Sequence, residues 1–152
     1  VFLFELKKKG YKINGIEPDQ HLYKHSRKIL GRNIFNGNFQ SFIRKNKDIS
    51  FNFISLNKVL EHVRNPKKII AKLPNLMKKN AYLYIEVPDE ASSKKGKNRE
   101  ELFVEHLHVF SKKSLSNLLS ENGFLSVRVK RILEPSGKYT IYGLFQNLKY
   151  VK

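Results

Sequence analysis

The chain has 152 residues, 40% of them hydrophobic, no cysteine and a formal net charge of +17 at pH 7. That length and apolar share build a core and exclude a disordered chain. The lack of cysteine excludes disulfides and thiol chemistry and fits a reducing, cytoplasmic setting. No apolar run is long enough to span a bilayer, and no signal-peptide pattern opens the chain. The charge has two readings. One is a polyanion partner such as nucleic acid, or an anionic membrane surface. The other is compositional: Lys occurs in nearly every segment, with no RNA-binding motif and no single basic helix. The compositional reading is preferred, so nucleic acid is not the expected partner. The chain starts at Val1 and its single Met is Met77, which reads as a processed chain or a piece of a longer one.

Val1 to Gly10 places apolar residues on a helical face and ends in a glycine stop, like the tail of a helix. Tyr11 to Glu17 reads as a strand. Pro18-Asp19 opens a helix with Leu22, Tyr23, Ser26, Ile29 and Leu30 on one side, closed by Gly31. Asn33-Ile34-Phe35 is a short strand, Asn36 to Phe39 a turn, and Phe39, Phe42 and Ile43 a brief helix. Phe51 to Leu56 is a short apolar run that reads as a buried strand, and the chain turns polar after Asn57. Asn65-Pro66 caps and starts a helix to about Lys78. Its buried side is Ile69, Ile70, Leu73, Leu76 and Met77. Pro74 should kink or split it, and Asn80 stands at its expected end.

Ala81 to Pro88 is a strong strand signal. Asp89 to Glu101 reads as an exposed, mobile loop closed by Glu105 to Phe110. Ser111 caps a helix with Leu115, Leu118 and Leu119 inward and Gly123 at its end. Leu125–Leu133 and Tyr139–Gln146 read as an antiparallel pair around the Pro135-Ser136-Gly137 turn. Helix and strand alternate before that pair, with no internal repeat and no second domain. This order implies one α/β domain over residues 1–152, with a mostly parallel sheet covered on both faces.

Ligands of such sheets bind beyond the carboxyl ends of the strands. Glu17 sits at a strand end directly before a helix, where a carboxylate can accept hydrogen bonds from both ribose hydroxyls of a nucleoside. An exposed Glu near a helix N-terminus is the plainer reading of the same position. The second polar strand exit begins at Asn57. His62, His106 and His108 are candidate bases, because imidazole titrates near neutral pH. His106 and His108 alternate along an extended segment and should point to opposite sides. Glu61, Glu86 or Glu105 could complete a metal set with them, but no local spacing demands one and no metal is expected. His21 and His25 read as exposed helix residues.

Phe2-Leu3, Leu6, Gly10-Tyr11 and Gly15-Ile16-Glu17-Pro18 are followed by Phe53-Ile54-Ser55-Leu56, Val59-Leu60-Glu61-His62-Val63, Ile85-Glu86-Val87-Pro88 and Glu105-His106-Leu107-His108-Val109-Phe110-Ser111. In this order and spacing the chain resembles class I S-adenosylmethionine-dependent methyltransferases along nearly its whole length. The branch is one rich in polysaccharide and modified-sugar biosynthesis enzymes. The resemblance implies a Rossmann-like three-layer sandwich and S-adenosyl-L-methionine as cofactor. It implies methyl transfer to a small-molecule or sugar-derived acceptor. Glu17 would hold the ribose. Gly37, Asn38 and Phe39 would lie along the adenine, Asn57 and Lys58 near the methionine end, and the Asp89 to Glu101 loop over the acceptor.

The family's first strand and glycine-rich loop have no counterpart before Val1. The chain therefore reads as an N-terminally incomplete domain that binds S-adenosylmethionine poorly or not at all. Two competing expectations stand beside this one: a basic, non-enzymatic nucleic-acid-binding module, and an inactive, decayed methyltransferase. The acceptor, the atom methylated and the oligomeric state have no signal in the sequence.

Overall fold

The structure, a computed structural model, describes residues 2–96 and 105–149. The chain divides into two compact units, Val1–Ile49 and Ser50–Lys152.

The first unit runs α1 (Phe2–Lys8), β1 (Gly15–Glu17), α2 (Gln20–Leu30), β2 (Ile34–Asn36) and α3 (Phe39–Lys45). Gly10 adopts φ 83° past the end of α1, the left-handed stop that favours glycine. The Asp19 carboxylate accepts from the amides of His21 and Leu22, both at 2.8 Å, and so caps α2. β1 and β2 pair in parallel, with Gly15 opposite Ile34 and Glu17 opposite Asn36. The expected strand from Tyr11 is shorter than read: β2 offers three residues to pair with, and Tyr11 is 62% exposed. A Cβ on Gly15 would come within 2.9 Å of both Leu3 and Ile34, so helix and strand side chains close over that glycine. Ile13, Ile34 and Phe42 are buried, and the Phe42 ring meets Phe35 edge-on at 5.5 Å. The apolar side read for α2 contains no buried residue; Leu22 is 57% exposed.

The second unit contains β3 (Phe51–Asn57), a 3-10 turn (Leu60–His62), α4 (Pro66–Ile70) and a second 3-10 turn (Leu73–Leu76). There follow β4 (Met77–Pro88), a third 3-10 turn (Glu90–Lys95), α5 (Lys112–Ser120), β5 (Phe124–Leu133) and β6 (Tyr139–Asn147). The strand order is β3-β4-β6-β5. β3 and β4 are parallel, and β5 and β6 form the antiparallel pair expected at the C-terminal end; because β6 is also antiparallel to β4, this sheet is mixed rather than mostly parallel. Pro74 splits the helix that starts at Pro66, as its missing N–H requires.

Two expectations are corrected here. Asn80 does not end a helix: it lies inside β4 with φ 61°, where the register to β3 jumps from Phe51–Met77 to Phe53–Tyr82. Extra residues on one strand make such a bulge, and Asn tolerates the left-handed conformation it imposes. β3 is also not a buried strand. Phe53 is 41% exposed, and among the described residues β3 pairs only with β4.

Leu83, Ile85 and Val87 alternate along β4 with no exposure, and with Ile141, Phe145, Leu115 and Leu119 they form the core. Ser111 and Ser114 cap α5 reciprocally, each hydroxyl accepting the other's amide at 2.9 Å. The stretch read as an exposed loop from Asp89 begins instead with a fully buried carboxylate. Asp89 accepts from both the Nε and a terminal nitrogen of Arg131 on β5, and from the Ala91 amide at 3.0 Å. That ion pair ties the end of β4 to β5; the loop's continuation at 97–101 lies outside the described residues. No helix among the described residues is long and apolar enough to cross a membrane.

Candidate active site

In the first unit the parallel β1–β2 pair brings Glu17 beside the turn after β2. The Glu17 carbonyl accepts from the Gly37 amide and from Asn36 Nδ2, each at 3.1 Å. Its Oε1 accepts from the Asp19 amide at 3.0 Å, while Oε2 accepts no bond from the described residues. Gly37 has φ 144°, and a Cβ there would come within 2.8 Å of the Phe35 ring and of Ser41 Oγ. Only glycine fits comfortably, because those two side chains close in on the turn. Asn38 caps α3 through Oδ1, which accepts from the Ser41 amide at 2.9 Å. Phe39 begins α3 and is half-buried. The four residues expected to hold the nucleoside are thus gathered at one strand edge. A separate cleft of about 380 Å³, lined by Phe4, His25, Ser26, Ile29 and Leu30, does not include Glu17.

In the second unit the register sets Asn57 opposite Glu86 at the carboxyl ends of β3 and β4. Asn57 Nδ2 donates to Glu86 Oε2 at 3.4 Å, and the Tyr84 hydroxyl donates to Oε1 at 2.5 Å. Burial, helped by the Glu86 carboxylate, pushes the Tyr84 pKa up, so the phenol stays a donor. Lys58 has φ 52°, which turns the chain out of β3. Its ammonium is held by Glu134 Oε1 at 3.2 Å and by the Thr140 hydroxyl oxygen. The Thr140 hydroxyl, followed by Lys58, keeps the Glu134 carboxyl below its usual range.

The third group lies at the 3-10 turn. The Glu61 carbonyl accepts from the amides of Leu107 at 2.7 Å and His108 at 3.2 Å, which fastens the segment from Glu105 to His108 onto the turn. His62 and His106 meet edge-on with ring centroids 4.9 Å apart. The Glu61 side chain is 1% exposed, and neither carboxylate oxygen has a hydrogen-bond partner. Burial pushes its pKa up, against the pull of the nearby His62 and His106. His108 points elsewhere, as its alternation with His106 requires: its ring leans on Phe110 at 6.2 Å, and its buried Nε2 has no partner. The sequence reading treated Glu61 and Glu86 only as spare ligands. The signal for Glu61 was its place between Leu60 and Val63, an acid inside an apolar turn.

A family model described as a methyltransferase domain matches residues 1–129. The chain belongs to that methyltransferase family. S-adenosyl-L-methionine is its cofactor, a sulfonium that supplies an electrophilic methyl group. No curated protein matches the chain. Among solved structures, a SAM-dependent methyltransferase from Archaeoglobus fulgidus superposes with a TM-score of 0.79 at 14% identity, covering 96% of this chain and 80% of its own. A SAM-dependent methyltransferase from Methanosarcina mazei gives 0.69 at 19% identity, covering 96% and 86%. The plantazolicin methyltransferase BamL, in complex with a desmethyl analog and SAH, gives 0.71 at 16% identity, covering 95% and 72%. These likenesses establish the Rossmann-like fold of the methyltransferase chain. The Glu17 carboxylate, whose Oε2 accepts no bond from the described residues, has the chemistry to accept from the ribose hydroxyls of a nucleoside.

Proposed function

We propose that this methyltransferase moves a methyl group to a small-molecule or sugar-derived acceptor. The observation that carries the cofactor half is the Glu17 carboxylate at the end of β1, tied through its carbonyl to the turn at Gly37. In this reading Glu17 accepts from the ribose hydroxyls, Gly37 and Asn38 line the adenine, and Phe39 offers it a flat apolar contact. Asn57 and Glu86 form the polar exit of β3 and β4 at the methionine end. Lys58, expected with Asn57 near the methionine end, has its ammonium engaged by Glu134, and in this reading it fixes the turn beside Asn57 instead.

Methyl transfer by displacement needs the acceptor atom in line with the sulfonium methyl in a site poor in water, so much of the protein's task is positional. An oxygen or carbon acceptor must also lose a proton, and the residues equipped for that are His62, His106 and His108. His62 is the best prepared. Its Nδ1 lies 3.1 Å from the Glu105 carbonyl, so Nδ1 donates and Nε2 keeps its lone pair. Low cofactor affinity is part of the proposal, with a dissociation constant above about 0.1 mM.

The test is transfer of labelled methyl, at saturating S-adenosyl-L-methionine, into separated pools of nucleotide-sugars, lipid-linked sugars and small metabolites. Label in one of these pools, reduced at least about tenfold by E17A at subsaturating cofactor, is the expected result. No label in any pool overturns the acceptor assignment. Tight binding by isothermal titration overturns the low-affinity part alone.

A further inference from the structure

We propose that Glu61, His62 and His106 form a site for a divalent transition-metal ion on the acceptor side of this methyltransferase. The inference rests on the reading above only for its use in catalysis; the site stands on its own geometry.

Three observations carry it. One ligand atom from each of the three side chains lies within 4.8 Å of the others, close enough to converge on one ion. The Glu61 carboxylate is 1% exposed and neither oxygen has a hydrogen-bond partner. A buried, unpaired carboxylate is costly, and a cation between it and two imidazoles removes that cost. Finally, the outer shell is already in place. The Glu105 carbonyl lies 3.1 Å from His62 Nδ1, the arrangement that metal-bound imidazoles use to fix the opposite nitrogen as ligand. The Glu61 carbonyl, bonded to the amides of Leu107 and His108, fixes the backbone on which His106 rides.

Two imidazoles and one carboxylate, with no thiolate in the chain, suit Zn²⁺, Fe²⁺, Mn²⁺ or Co²⁺ better than Ca²⁺ or Mg²⁺. Three protein ligands leave coordination positions open. An acceptor with a hydroxyl or carboxylate oxygen could bind there, be oriented by the ion and be made more acidic. His62 and His106 would then be ligands, which replaces the base role given to His62 above, and water would take the proton.

The test titrates the chain, without cofactor, with Zn²⁺ by calorimetry and with Co²⁺ by visible absorption. One ion per chain is expected, with a ligand-field spectrum showing imidazole coordination. E61Q and H106A should each weaken binding by about 10–100-fold or more. H108A, and H21A with H25A on exposed helix positions, should leave it unchanged. E61Q removes a buried unpaired charge, so it should fold; H106A supplies a second variant if it does not. Absence of stoichiometric binding overturns the site, as does binding that survives E61Q and H106A. Metal binding without methyl transfer to any pool would retain the site and reject the acceptor reading; transfer unaffected by chelation would retain the acceptor reading and reject the ion's part in catalysis.

Discussion

Among the described residues, three of the eighteen buried hydrophobic ones lie in the first unit and fifteen in the second. Yet the residues proposed to hold the nucleoside are in the poor unit, and the polar strand ends and the histidine cluster are in the rich one. β1 and β2 are three residues each, and α2 shows Leu22 and Ile29 to solvent. β4 and β6 run 12 and 9 residues, and bury Leu83, Ile85 and Val87 together with Ile141 and Phe145. On the proposed reading, a nucleoside edge needs only a short register and a tight glycine turn, whereas holding an unpaired carboxylate out of water needs a core. The difference also predicts unequal stability, since elements with few buried side chains open first.

The largest expected effect is F145A. Phe145 has no exposure and its ring closes over Gly143, so truncation should cost about 3–5 kcal/mol and shift the later of two urea transitions. F42A, in the first unit, should shift the earlier one. Coincident transitions that both variants shift equally would erase the contrast between the units.

The contrast was only partly visible in the sequence. Asp19, Pro66, Pro74, Ser111 and the Pro135-Ser136-Gly137 turn announced their elements, because caps and breakers act within a few residues. Leu83, Ile85 and Val87 announced their strand by period. β3 was misread because an apolar run says nothing about which edges are paired; Phe53 is exposed where its composition implied burial. Asn80 was misread because the same left-handed residue serves a helix end and a bulge. Of the residues in the proposed site, Glu17 and the histidines stood out in the sequence, by a strand end and by residue type. Burial of Glu61 and the hold of Glu134 on Lys58, 76 positions away, depend on how strands come together, and no local pattern records that.

R131A should come next. It leaves the Asp89 carboxylate buried with only the Ala91 amide, at a cost of about 2–3 kcal/mol that appears in the later transition alone. Replacing Asp89 as well, as D89A/R131A, should recover part of it, since the stranded charge is gone. A single-mutant loss within about 0.5 kcal/mol would mean that water reaches Asp89 in solution. G15A addresses the first unit in the same way. Its new methyl would meet Leu3 and Ile34 at 2.9 Å, and because both contacts are ends of flexible side chains the cost should be about 1 kcal/mol, in the earlier transition.

The smallest effects separate the units by acid. Asp19 in the first unit and Glu134 in the second both have lowered pKa values. The Leu22 amide is the main cause for Asp19, and the Thr140 hydroxyl for Glu134. An acid held lower in the folded than in the unfolded chain adds stability above its unfolded pKa. It loses that stability as pH falls through the folded value. Both transitions should therefore weaken only below the ordinary carboxylate range, and neither should move between neutral pH and that range on account of these groups. D19N keeps a capping side chain while removing the titration, so it should flatten the acid limb of the earlier transition and leave the later one as it was. E134Q should do the opposite, and it should also loosen Lys58, because the amide no longer holds the ammonium by charge. If either variant flattened both limbs, the acid response would belong to one cooperative body, and the unequal shares of core would not translate into unequal unfolding.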